Sequence, residues 1–281
     1  MVGRDRTSTP FTPRTLHLAM FALDTITLSA ATMASASLWQ PCLSSDTLLW
    51  GLERSGSNLT SFAADVIYDR YHAFEEERER RRGRLVLEGA GRERKLGCLF
   101  SSTQDASGAV RESKDRWVYA DGWLGEIDEE HKSFNKRQVV APGESWDPLK
   151  LGEGPFPLPF GQPEAEVRAR FEVSSATPPA TPMVANELRG DSVCGLRLTP
   201  RPESELAKEA TSIDVIYSTA VVPGVLVPRV VHIVKPNGDS STIVLSRPVM
   251  NGTLADLDRS LLVMPEPDPK EWSIDIRPWE K

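Results

Sequence analysis

Residues 116–128, RWVYADGWLGEID, decide the fold. Five residues of strand-forming character run into Asp121-Gly122, a strong signal for a two-residue hairpin turn, and residues 123–128 lead out of it. Working outward, residues 84–88 (RLVLE) and 94–101 (RKLGCLFS) read as short strands on one side, and residues 136–140 extend the series on the other. Each run is joined to the next by a short polar or glycine-containing turn. Such a meander closes its ladders locally and forms one contiguous antiparallel sheet.

Further upstream, residues 46–53 (DTLLWGLE) form a short amphipathic segment with Asp46 as a candidate cap and Leu48, Leu49 and Leu52 on one side. The period then changes to two: Phe62, Ala64, Val66 and Tyr68 share one face of a strand. The run EEERERRR, residues 75–82, alternates sign and reads as a solvated hairpin edge or turn. Downstream, residues 192–199, 212–217, 225–234, 241–245 and 273–277 are strand-like, and 203–210 is a short helix with Ser204 as its cap. Residues 141–163 carry repeated prolines yet include Trp146, Phe156 and Phe160, so they should pack as a lid over something. Residues 174–191, small, polar and proline-rich, read as an exposed insertion.

The chain has 281 residues, 40% hydrophobic and 26% charged, with 22 prolines and a net charge of −7. This is an ordinary globular composition, and the charge argues against an electrostatic nucleic-acid binder. Arg4, Arg6 and Arg14 precede an apolar and small-residue stretch over 16–36 that ends in Ala34-Ser35-Ala36. That is the pattern of an export signal cleaved after residue 36, with Asp24 as its one discordant residue. The expected mature domain is 37–281, soluble and outside the cytoplasm. Each of the three cysteines, 42, 98 and 194, reads as a buried free thiol acting as a small hydrophobe, and Cys98 with Cys194 is the pair to test first for a bridge.

No catalytic or nucleotide motif is present, and the four histidines lack metal-ligand spacing. Glu126, Asp128, Glu129, Glu130 and His131 form an acidic cluster past the hairpin, and a hydrolase can be imagined on it. Acid–base carboxylates need environments that push their pKa values apart, so an exposed, neutralised turn is the simpler reading. What stands out is apolar surface on alternate strand positions. A curved sheet that closes only partly would line its concave face with Phe62, Val66, Leu85, Leu87, Trp117 and Tyr119 and cover them with Phe156 and Phe160 of the lid. Either these residues line a cavity for acyl chains or they fill an ordinary β core.

The order of parts resembles the LolA-like periplasmic lipoprotein carriers. It is carried by the signal, the short helix, Ser61-Phe62, Gly83-Arg84-Leu85, Asp121-Gly122 with its aromatic strand, Asn237-Gly238, Thr242 to Leu245, Asn251 and the Pro265 region. The resemblance implies a mainly β fold, an unclosed or half β-barrel covered by short helices, holding lipoprotein or other lipid acyl chains, with no cofactor, no metal and no catalysis. It further implies a monomer meeting membrane donor and acceptor proteins. A non-catalytic envelope interaction or sensor protein on the same scaffold is the alternative. The chain departs from the family at Gly89-Ala90, where the carriers have a basic residue and a proline.

Overall fold

Helix α1, Ser45–Ser57, begins where the Ser44 hydroxyl accepts from the Thr47 amide. Ser44 is thus the cap, and Asp46 sits in the first turn, where a carboxylate favours the positive end of the helix. Leu48, Leu49 and Leu52 fall on its buried side while Trp50 stays exposed. The computed structural model describes residues 43–141, 161–219 and 224–279. The expected signal, Cys42 and nearly all of the proline-rich lid, including Phe156 and Phe160, lie outside the described residues.

The first strands are β1 Ser61–His72, β2 Glu77–Glu88, β3 Lys95–Gln104, β4 Val110–Ala120, β5 Trp123–Asp128 and β6 Ser133–Gln138. They form the expected meander, each pairing antiparallel with the next. The deciding hairpin turns through Asp121 and Gly122, both at positive φ (51° and 81°), the conformation that an Asp-Gly pair supplies. Helix α2, Glu164–Arg170, leads to β7 Phe171–Ser175, and helix α3, Pro182–Glu187, leads to β8 Val193–Pro200. After a 3-10 turn capped by Ser204 come β9 Ser212–Ser218, β10 Val227–Val234, β11 Ser240–Met250, helix α4 Asp256–Ser260 and β12 Ser273–Arg277.

All twelve strands join one curved, unclosed sheet in the order β12-β6-β5-β4-β3-β2-β1-β11-β10-β9-β8-β7. The fold is therefore mainly β with short helices, an unclosed barrel. One ladder departs from the antiparallel expectation: β12 runs parallel to β6, because the chain returns across the sheet before adding this edge. A bulge where β1 meets β11 places Arg247 in the left-handed region (φ 49°) and turns its side chain back to Asp65.

Two local expectations are overturned. Residues 75–82 are not an edge. Glu75 and Glu76 lie in the β1–β2 turn, as the alternative reading had it, but residues 77–82 belong to β2, an interior strand between β1 and β3, where salt bridges to neighbouring strands hold charges. Nor are residues 174–191 an exposed insertion: Thr181 caps α3, and Val184 is fully buried against Ile67, Ile216, Val230 and Val244.

Candidate functional site: the inner face and its cover

Alternation sorts the sheet into two faces. On the inner face one cluster runs from Leu124 on β5 through Tyr119, Leu96, Cys98, Leu85, Leu87, Phe62 and Val66 to Leu245, Val231, Val215, Leu196 and Phe171. Leu48, Leu49 and Leu52 of α1 and Val167 of α2 belong to the same cluster, which places these helices over this face. That so many strands reach one short helix is what the curvature achieves.

The structure brings together the six described residues expected to line a cavity. Register sets them opposite one another: Phe62 faces Leu87, Cys98 faces Trp117, and Leu96 faces Tyr119. Phe62, Leu85 and Leu87 are 0% exposed and Val66 1%, while Trp117 is partly buried and meets Phe100 edge-on, ring centroids 5.5 Å apart. Cover by short helices is as expected, and α1 supplies it through the Leu48, Leu49 and Leu52 spacing visible in the sequence.

The cover is held by few polar ties. The Ser55 hydroxyl accepts from the Leu226 amide (2.9 Å) and donates to Gly51 O (2.7 Å). Arg168 on α2 pairs with Asp46 and with Glu164, and the Glu53 carboxylate accepts from the Glu164 amide at 3.1 Å. At the helix exit Asn251, at positive φ, is a clamp. Its side-chain oxygen accepts from the Thr60 amide (2.8 Å), its amide group donates to Asn58 O, and its backbone N–H donates to Ser61 O. This is a physical reason for an asparagine there.

Cys98 and Cys194 are both buried thiols with no disulfide between them, as the sequence reading expected. They sit on β3 and β8, separated in the sheet by β2, β1, β11, β10 and β9. Burial pushes the Cys98 thiol far up, which makes it an inert small hydrophobe. The same effect raises the Tyr217 hydroxyl, with the Cys194 charge adding to it.

The outer face is different. A polar row crosses it: Arg78 and Arg80 on Asp69, then Thr242, His232, Asp214 and Arg197. Arg197 grips Asp214 with two 2.7 Å hydrogen bonds, and His232 Nδ1 lies 2.9 Å from the Thr242 hydroxyl. Beside the row, buried Arg229 donates to Leu245 O (2.7 Å) and to Glu187 O at the end of α3 (2.9 Å), and pairs with Asp191. The C-terminal segment covers the rest, with Leu254, Leu261 and Leu262 on Ala63 and Val86, and Met264 and Trp272 beside Val118 and Phe134. Two glycines permit this approach: a Cβ on Gly97 would stand 2.3 Å from Leu261 O, and one on Gly125 2.5 Å from Met264 Sδ.

The acidic cluster past the hairpin is spread out. Asp128 and His131 form a 2.7 Å pair in an exposed turn, and Glu126 pairs with Arg137 at 3.2 Å. The Asp128 hydrogen bond and charge raise the His131 pKa. Burial works to raise Asp128, but the hydrogen bonds and charge of His131 outweigh it and leave its pKa below the usual value. Among the described residues no group of His, Cys, Asp and Glu has the placement to hold a metal, and no helix is long and apolar enough to cross a membrane.

No family model matches the chain, and no curated protein does. Solved structures similar to it include LolA superfamily proteins. One, from Nitrosomonas europaea, is 11% identical, with 76% of this chain and 96% of that one covered at a TM-score of 0.31. A putative outer membrane lipoprotein-sorting protein domain from Vibrio parahaemolyticus is 12% identical, with 78% and 97% covered at 0.32. An uncharacterized conserved protein from Thermus thermophilus reaches 0.41 at 9% identity, with 83% and 98% covered. At such values the likeness carries no function over.

Proposed function

We propose that this chain is an exported, non-catalytic carrier of acyl chains, from a lipoprotein or another lipid. Residues 1–36 direct it to the periplasm, and its inner face is the binding slot. The supporting observation is the continuous apolar inner face from β5 to β7, covered by two short helices rather than by a second sheet. Phe62, Val66, Leu85, Leu87, Trp117 and Tyr119 are its lining, with Phe156 and Phe160 proposed to join them.

In the closed arrangement the leucines of α1 occupy the slot, so cargo enters by taking their place. Fully burying a leucine contributes about 2 kcal/mol, hence roughly 6 for Leu48, Leu49 and Leu52 together. Each buried methylene contributes about 0.8 kcal/mol, so an acyl chain with about eight to ten buried carbons matches them. The exchange is near balance, as a carrier that must also release its cargo requires.

The test is a reversible lock. A Cβ on Gly51 would stand 3.4 Å from Leu226 Cγ, which puts G51C and L226C within reach of a disulfide. In a C42S background the oxidised double variant should lose displacement of a hydrophobic dye by lauric acid, and reduction should restore it. Equal displacement in both states, or no acyl chain on the purified protein by mass spectrometry, sinks the proposal. The complete burial of Phe62, Leu85 and Leu87 favours one second reading, an envelope interaction or sensor protein whose slot stays filled. That reading expects a crosslinked protein partner and no lipid.

A further inference from the structure

On the opposite side of the sheet from the slot, β2 presents Arg78, Arg80 and Arg82 at alternate positions, their Cα atoms about 7 Å apart along the strand. With Thr181, Pro182, Met183, Asn186 and Glu187 they line an open cleft of about 470 Å³. The two walls are brought together by Ile67. It is the cross-strand partner of Arg82, and it packs in the cluster that seats α3.

We infer that this cleft binds a phosphate group carried by a small molecule or by a lipid headgroup. Asp69, 2% exposed, receives both Arg78 and Arg80, the latter through Nε at 2.8 Å. That contact fixes the Arg80 guanidinium in place. The second carboxylate at the cleft, Glu187, is occupied by the Ser246 hydroxyl. Three guanidiniums therefore stand against two carboxylates. Arg82 is the surplus cation, exposed and, among the described residues, without an ion pair or side-chain hydrogen bond. In a chain of net charge −7 this is a local positive site.

Guanidinium forks match oxyanions, and a phosphate offers more acceptor oxygens than a carboxylate for donors from neighbouring arginines. Pro182 and Met183 on the far wall offer apolar contact to the organic part of the ligand. The volume lies in the range of small-molecule sites, about 300–1,000 Å³. Because the cleft and the apolar slot are on opposite faces, either assignment can fail alone.

The experiment is calorimetric titration of the whole chain with glycerol 3-phosphate, beside flotation with phosphatidylglycerol or phosphatidylcholine vesicles. Binding of at least one phosphate probe is expected, with R82Q weakening it tenfold or more and R82K recovering only part. R82Q should keep the wild-type circular dichroism and lauric acid displacement, since Arg82 is exposed and unpaired. Arg82-dependent binding to glycerol 3-phosphate assigns a small phosphate ester. Arg82-dependent flotation with phosphatidylglycerol alone assigns a headgroup. Failure of both probes to bind, or binding that R82Q leaves unchanged, overturns the inference.

Discussion

The two faces of this sheet are built from the same strands by different chemistry. The inner face is apolar from β5 to β7 and is closed by α1 and α2 through leucine and valine contacts, with polar groups only at the margins of the cover. The outer face interrupts its apolar patches with a row of charged and hydrogen-bonding side chains, and its covers are tied down by directional bonds from Arg84 to Asp258 of α4 and from Arg229 to Glu187 O of α3. Apolar contacts are non-directional, so a foreign chain can replace one side of them. A buried arginine that satisfies three acceptors has no such substitute. On the proposed function, this contrast would put exchange on the inner face and permanence on the outer one.

The largest test strikes the inner face. Phe62→Ala should destabilise the ligand-free protein by about 4 kcal/mol in urea unfolding, since the side chain is fully buried and the cavity it leaves adds to the lost transfer energy. If the slot accepts acyl chains, saturating lauric acid should recover part of that loss, because a ligand of the native state alone stabilises it by mass action. An equal deficit with and without lauric acid would remove the distinction between the faces.

Arg229→Met is the outer counterpart. It leaves Leu245 O, Glu187 O and Asp191 without their donor, at a cost of about 3 kcal/mol. Lauric acid displacement per folded molecule should stay at the wild-type level. A smaller effect, about 2 kcal/mol, is expected for Gly97→Ala, whose new methyl meets Leu261 O. Hydrogen exchange should then rise over residues 254–262 and stay unchanged in α1. A rise in α1 instead would mean that the covers are coupled through the sheet.

Much of this division was legible in the sequence. Residues 123–128 and 273–277 form strands with the bounds read from the pattern, and the period-two facing of Phe62, Val66, Leu85 and Leu87 is as alternation required. What sequence could not give were features decided by distant partners. The arginines of β2 look like a solvated edge until Asp69 on one side and Asp115 on the other are brought alongside. Residues 174–191 look exposed because Met183, Val184 and Leu188 are few apolar residues among small and polar ones, and the pocket of Val184 is assembled from four strands far off in sequence. The parallel ladder of β12 with β6 has no local signal, since periodicity reports facing and not direction. That Cys98 and Cys194 stay buried thiols was readable, but the reason they cannot pair is strand order, which sequence does not carry.

The smallest predicted effect uses protons to compare the outer row with an exposed turn. Burial lowers the His232 pKa below 6.5, with Arg197 and Arg78 acting in the same direction and Asp214 and the backbone at Ser241 opposing them. The unfolded chain therefore takes up this proton first as pH falls. His232 should cost stability progressively as pH drops from 6.5 toward its lower native value, with no further change below that. His131 has the opposite sign. Its pKa is raised by the hydrogen bond it donates to Asp128, so its contribution is complete below 6.5 and disappears as pH rises through the native value. Urea midpoints measured from pH 5 to 8 should lose their decline toward acid in His232→Gln and keep it in His131→Gln. If His232→Gln kept that decline, the outer row would be wet enough to titrate freely, and the permanence proposed for that face would be wrong.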